Sequence, residues 1–197
     1  MRKLIECLEA VREIKGIVLA MAGVHAFFLL AGYAVAAVHL PWAISMREEF
    51  LTSLRGYMPL EMVAANVHAG SLIMAMGITF AYNLSYGAFL STTLTGVLLF
   101  LPALVSSFRA FYVGLAFYDN IASTEHLVLI TGTVLLEFGA YSVSSALGTA
   151  LGIEIVRRGN VRHALERIIR GYVVVAALLL LGAVWEIVGI YLLLRWS

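Results

Sequence analysis

Residues 171–194, which read GYVVVAALLLLGAVWEIVGIYLLL, decide the fold class, because they contain a single Asp, Glu, Lys or Arg residue, Glu186. A helix of this length crosses a bilayer, since each residue adds about 1.5 Å and the hydrocarbon core is about 30 Å thick. The whole chain has 197 residues, of which 62% are apolar and 13% are charged, whereas soluble domains carry about 25% charged residues. The sequence therefore predicts an all-α, polytopic transmembrane helix bundle.

Five apolar runs predict five membrane spans, at residues 16–40, 61–82, 87–107, 123–155 and 171–194. The fourth begins at the helix-cap signal Ser123-Thr124-Glu125. Because the connections are short, residues 1–197 are expected to form a single integral membrane domain. Residues 1–15 alternate apolar and charged side chains at helical spacing, which predicts an interfacial amphipathic helix, and residues 45–58 predict a second one. The aromatic stretch 108–120 predicts a membrane-level loop or a re-entrant segment.

The basic residues predict the orientation. Residues 1–15 contain four Lys and Arg and residues 157–170 contain five, of thirteen in the chain. Five spans place both segments on the same side, and the positive-inside rule makes that side cytoplasmic. We therefore expect a cell-membrane protein with its N-terminus in the cytoplasm and its C-terminus outside. The remaining basic residues are assigned to the outer side: Arg47, Arg55, Arg109 and Arg195.

Composition also limits the partners. The formal net charge of +1 excludes the polybasic surface typical of nucleic-acid binding. A single cysteine, Cys7, excludes an intramolecular disulfide and a multi-cysteine metal site. The chain has no Gln, four Asn and eleven Arg against two Lys, which suits a thermophilic source. The Arg157–Arg170 connector is expected to contact anionic lipid or to bind a membrane or cytoplasmic protein.

Four ionisable side chains lie well inside the predicted spans: His25, His68, Glu137 and Glu186. Their estimated depths allow all four to meet between the midplane and the outer half. Two histidines and two carboxylates form a donor set for Zn²⁺ or another divalent metal. Two other interpretations stay open. In the first, the carboxyls are neutral or paired groups that hold helices together; in the second, the layer carries protons or a solute.

The fourth predicted span carries a small residue at every fourth position, namely Ala140, Ser144, Gly148 and Gly152. Such a stripe lets helices approach closely, so it predicts helix packing or a subunit contact in a homodimer. Ser142, Ser144 and Ser145 have no base nearby in the sequence and are expected to pack. Glu125, His126 and His39 lie at span ends, where side chains are usually solvated, with Glu125 and His126 as alternative metal ligands. No hydrolase motif is present, so we assign no catalytic residue.

The second half of the chain carries a pattern of Asn, Gly and Glu residues. Its members are Asn66 with Gly77 eleven residues later, Tyr82-Asn83 followed by Gly87, Glu137 before Ala140, the run from Gly148 to Gly152, and Glu186. This pattern resembles the stage II sporulation protein M family of small polytopic membrane proteins, over residues 66–197. The chain departs from the family at Thr133-Val134, where the family has His-Gly, and at Leu84, where it has Gly.

The resemblance implies a non-enzymatic scaffold or partner-binding membrane component, since the sporulation member is a membrane partner in a complex that remodels peptidoglycan. The residues alone also allow an alternative from another class. This alternative is a divalent-metal-binding transporter or an intramembrane metal-dependent hydrolase, in which His68, Glu137 and Glu186 bind the ion with His25 in support. The metal content of the purified protein would discriminate the two.

Overall fold

A computed structural model describes residues 2–119 and 123–196. All regular structure in these two ranges is helical. The α-helices are α1 (Arg2–Arg12), α2 (Lys15–Ala37), α3 (Pro41–Leu54), α4 (Met58–His68), α5 (Leu72–Tyr82), α6 (Leu101–Phe117), α7 (Thr124–Val156) and α8 (Val161–Trp196). A π-helical segment, Asn83–Thr93, and a 3₁₀ turn, Leu94–Leu98, continue α5 without a break.

Four helices in the described ranges are long and apolar enough to cross a membrane: Lys15–Ala37, Leu72–Leu98, Thr124–Val156 and Val161–Arg195. The predicted all-α class is thereby confirmed for the described residues, and four of the helices could span a membrane. Helix α6 is also apolar, but its 17 residues extend only about 25 Å. The predicted count of five full spans is therefore not reproduced by helix length, although α6 packs against three of the four longer helices, namely α2, α7 and Leu72–Leu98.

The predicted boundaries of the second and third spans are wrong. Residues 61–68 belong to the short helix α4, and the chain turns at Gly70, whose φ of +74° suits glycine. The membrane helix begins only at Leu72 and runs through the predicted break near residue 85 to Leu98. The chain reverses at Leu99, which has a φ of +49°. Residues 87–107 are thus divided between two helices.

Helices α6 and α8 are also longer than expected, because each includes residues that were predicted to connect two spans. The predicted loop at 108–120 is helical as far as Phe117, and Asn120 lies outside the described residues. Helix α8 begins at Val161 rather than at residue 171, so most of the basic connector belongs to its first turns. The predicted interfacial helices correspond to α1 and α3, and Met1 is outside the described ranges.

The π-helical segment Asn83–Thr93 contains side-chain hydroxyls that donate hydrogen bonds to backbone carbonyls of the same segment. Ser91 donates to the carbonyl of Gly87 over 2.5 Å, and Thr92 donates to the carbonyl of Ala88 over 2.5 Å. These hydroxyls compete with backbone N–H groups for the carbonyls four residues back. A shift of the N–H groups to the carbonyls five residues back produces the wider π-helical turn.

Contacts at the two ends of the bundle show which helix termini lie at the same end. At one end α1 packs on the start of α8, where Arg167 Nε donates to Glu13 Oε2 over 3.0 Å. At the other end α3 packs on the last turns of α6, with the rings of Phe50 and Tyr112 5.1 Å apart. The basic segments 1–15 and 157–170 therefore lie at the same end of the bundle. Helix α7 is the most buried, since nearly every residue from Phe138 to Gly152 is inaccessible.

Candidate functional site

Glu137 lies on α7, where its side chain packs between α8 and the π-helical segment. Asn83 Nδ2 donates a hydrogen bond of 2.6 Å to Glu137 Oε1. Space for the carboxyl comes from Gly182 on α8, where a Cβ would lie 3.6 Å from Glu137 Cγ. A carboxyl group in a low-dielectric interior needs such a donor, because its oxygens have lost water. The amide of Asn83 supplies that donor from a residue 54 positions away.

Glu186 shares a cavity with Glu137. The cavity has a volume of about 310 Å³ and lies between α6, α7 and α8. Its lining consists of Val113, Phe117, Leu129, Ile130, Thr133, Val134, Glu137, Phe138, Glu186 and Ile190. Within the described parts of the chain, Glu186 makes no hydrogen bond or ion pair. The cavity is therefore an apolar space with two carboxyl groups on its wall, one of them unpartnered.

Arg109 was expected on the outer side, but it belongs to α6 and its guanidinium packs inside the bundle. Its guanidinium donates from Nη1 to the Gly87 carbonyl over 3.2 Å and from Nη2 to Ser91 Oγ over 2.9 Å. It also lies over the ring of Tyr141, 4.2 Å from the centroid. The expectation depended on a loop at residues 108–120, whereas the chain is helical as far as Phe117. The sequence does contain a signal for the buried position of Arg109, because an arginine flanked by apolar residues on both sides usually faces a protein interior.

Tyr141 packs under Arg109 and lies one turn after Glu137 on α7. Its side chain is 3% exposed, and it fits because Gly87 has no side chain. A Cβ at Gly87 would lie 2.8 Å from Tyr141 Oη. We call Asn83, Arg109, Glu137, Tyr141 and Glu186 the polar layer. It crosses the bundle from the π-helical segment to the cavity.

The structure does not bring the two predicted histidine ligands to these carboxyls. His25 is buried elsewhere, where Nδ1 donates to the Met21 carbonyl over 3.0 Å and lies 3.1 Å from Ser142 Oγ. His68 is exposed at the last residue of α4. Throughout residues 2–119 and 123–196, no three His, Cys, Asp or Glu side chains are close enough to hold a metal ion. The predicted site of His25, His68, Glu137 and Glu186 is therefore not formed.

The residues at the N-terminal end of α7 have a capping role. Ser123 Oγ accepts a hydrogen bond from the backbone N–H of His126 over 3.3 Å, as the cap signal predicts. The ring of His126 also lies 3.0 Å from Ser123 Oγ through Nδ1. Glu125 is exposed in the same turn. Neither Glu125 nor His126 belongs to a group of three His, Cys, Asp or Glu side chains in the described ranges that could hold a metal ion.

The small-residue stripe of α7 packs against the same chain. A Cβ at Gly148 would lie 2.5 Å from the Thr93 carbonyl, and one at Gly152 would lie 2.2 Å from the Gly96 carbonyl. Ser144 Oγ lies 2.7 Å from Thr92 Oγ1. Ala140, the first member, is fully buried. These contacts place the stripe inside the protomer, so its face is not available to a second copy.

The three clustered serines of α7 contact three different neighbours. Ser142 lies beside His25, Ser144 bonds to Thr92, and Ser145 Oγ lies 3.2 Å from Ser106 Oγ on α6. All three are buried. Hydroxyl pairs of this kind join helices where the environment offers no water.

No family model matches the chain, and no curated protein or solved structure is significantly similar to it. What the site can do therefore follows from its chemistry. Carboxyl oxygens facing an apolar cavity accept hydrogen bonds, and an ionised carboxyl there attracts a cation strongly, because little water screens the charge. The polar layer is thus suited to bind a donor or cationic group that enters the cavity.

Proposed function

We propose that the protein is a non-enzymatic scaffold that binds a partner inside the membrane through the cavity between α6, α7 and α8. The observation that carries this proposal is Glu186, which faces the cavity without a partner in the described residues. Polar side chains in a membrane interior are costly and normally have a partner. A ligand group from another molecule supplies the partner that the chain itself does not provide.

The resemblance to the sporulation protein M family supports the same proposal. Asn83 and Glu137 both belong to the pattern on which the resemblance rests, and they bond to each other. Gly87, another member, makes room for Tyr141, while Gly148 packs against Thr93. The pattern thus coincides with the contacts that build the polar layer and the helix packing around it. We propose that the chain is of the sporulation protein M type.

The proposed orientation places Glu186 near the midplane and the cavity residues Leu129 and Ile190 in the outer half of the membrane. Helix α1 and the start of α8 lie at one end of the bundle and together with the 157–160 turn carry most of the Lys and Arg residues, so this end is assigned to the cytoplasm. Arg157, Arg158 and Arg162 are exposed there and are proposed to contact anionic lipid headgroups. Glu186 lies ten residues before Trp196, about 15 Å from the opposite end of α8.

Co-purification tests the proposal. The tagged protein is crosslinked in its native membranes and isolated as wild type, as Glu186→Gln and as Glu125→Gln. We expect a protein that co-purifies with the wild type in a constant ratio, is lost with Glu186→Gln and is retained with Glu125→Gln, because Glu125 is exposed outside the cavity. Circular dichroism and elution volume verify that both variants fold. A yield that is the same for both variants, or no protein in constant ratio, contradicts the proposal.

A further inference from the structure

We infer that the occupant of the cavity is a Lys or Arg side chain carried at mid-depth by a single transmembrane helix of the partner. This inference rests on the proposed scaffold function and adds the chemistry of the partner. The two carboxyl groups, the apolar wall and the depth of the cavity each point to this occupant.

The first argument is charge complementarity. The nearest cation, Arg109, forms no ion pair with Glu137 or Glu186 among the described residues. Its hydrogen bonds go to the Gly87 carbonyl and to Ser91 Oγ, and its face packs on Tyr141. Two carboxyl groups therefore face the cavity without a directly bound cation. An ammonium or guanidinium group supplies both positive charge and N–H donors to Glu186.

The second argument is the shape and chemistry of the wall. Beyond the two carboxyl groups and the hydroxyl of Thr133, the lining is apolar, with Phe117, Ile130 and Ile190 among its members. A Lys or Arg side chain has a matching division, since an apolar stem carries one charged end group. The volume of about 310 Å³ is at the lower limit for ligand sites. It suits one long side chain and leaves the partner's backbone outside.

The third argument is depth. Glu186 lies about 15 Å along α8 from Trp196, which is half the thickness of a hydrocarbon core of about 30 Å. A basic residue at this depth of an isolated helix is costly in lipid. Pairing with Glu186 removes that cost, so a helix with a central basic residue gains most from binding here. The partner is therefore a membrane-embedded helix rather than a cytoplasmic protein.

Binding of designed helices in nanodiscs tests the inference. Three fluorescently labelled Leu/Ala helices of about 20 residues carry Lys, Leu or Glu at the centre, and energy transfer to the labelled protein reports binding. We expect the Lys helix to bind at least about tenfold more tightly than the Leu helix, which corresponds to about 1.4 kcal/mol. Glu186→Gln should remove this preference, and Glu125→Gln should keep it.

A variant that fills the cavity and a small amine test whether the cavity itself binds the Lys side chain of the helix. Ile190→Trp keeps Glu186 but fills the cavity, and it should also remove the preference for Lys. Equal binding of the Lys and Leu helices to the wild type overturns the inference. Decylamine that binds in a Glu186-dependent way, without a preference among helices, would identify a small amine as the occupant and also overturn it. If co-purification from native membranes still depends on Glu186 in that case, the scaffold proposal stands and only the inferred occupant is wrong.

Discussion

The amide of Asn83 donates a hydrogen bond of 2.6 Å to the carboxyl of Glu137 and thereby joins the π-helical segment to α7. This bond connects the two parts of the chain that form the polar layer. Arg109 and Tyr141 lie beside it and Glu186 lies beyond it, on the wall of the cavity. The stability of the layer and the binding properties of the cavity can therefore be tested separately.

The Asn83–Glu137 bond predicts an energetic coupling. We expect Asn83→Ala and Glu137→Met each to remove the bond and lower the free energy of unfolding. The double variant should cost less than the sum by about 1.5–3 kcal/mol, the range for hydrogen bonds to charged groups. Reversible unfolding in bicelles measures the cycle. The pair Asn83→Ala and Glu125→Gln serves as the control and should be additive. Additive effects in the Glu137 cycle would show that the bond contributes nothing.

Arg109 is expected to stabilise the bundle more than a surface arginine does. Arg109→Met removes two hydrogen bonds and the contact with the Tyr141 ring, and we expect a loss of about 3 kcal/mol. Arg162→Met is the matched control, because this side chain is 90% exposed and pairs with Glu166 one turn away on the same helix. Its loss should stay below about 0.5 kcal/mol. Equal losses for the two variants would contradict the position of Arg109 inside the bundle.

Two glycines of α7 should respond to alanine with opposite signs. A Cβ at Gly148 would lie 2.5 Å from the Thr93 carbonyl, whereas one at Gly139 would have its nearest atom at 3.9 Å. We expect Gly148→Ala to destabilise by about 1–3 kcal/mol through overpacking. Gly139→Ala should stabilise by up to about 1 kcal/mol because alanine favours a helix. Thermal unfolding in detergent compares them, and a stabilised Gly148→Ala would argue against the close approach.

The proposed orientation predicts which positions a membrane-impermeant maleimide can reach in intact cells. With Cys7→Ser as background, Arg55→Cys should be labelled, because Arg55 is exposed at the end of α3. Arg158→Cys should be labelled only after the cells are opened, since it lies in the turn at the basic end of the bundle. The reverse pattern would invert the assigned orientation.

The long helices were predictable from sequence because their signals are local. The apolar run of α2 and the cap at Ser123 each act within a few residues, so α2 and the start of α7 match the prediction closely. The π-helical segment was not predictable. Its backbone N–H groups bond to the carbonyl five residues back instead of four, and this change leaves the spacing of apolar residues in the sequence nearly the same as in an α-helix. The predicted break near residue 85 came from polar residues that the helix accommodates with internal hydroxyl bonds.

The candidate site was predicted only in part for a related reason. Glu137 and Glu186 stand out in the sequence because an ionisable residue in an apolar run is rare. Their partners could not be deduced, since Asn83 is 54 residues from Glu137 and only the packing of three helices brings them together. The two histidines satisfied the same depth criterion but face other surroundings. Depth along a helix indicates which side chains share a level and does not indicate which of them face each other.

Site-specific photo-crosslinking in native membranes tests the central claim, partner binding at the cavity, most directly. Benzoylphenylalanine replaces Ile130 on the cavity wall or Leu135, which is 70% exposed on the same helix. We predict one discrete protein adduct from position 130 that disappears when Glu186→Gln is added, and no such adduct from position 135. Lipid adducts alone from position 130, or a protein adduct that persists with Glu186→Gln, would contradict binding of a partner at this cavity.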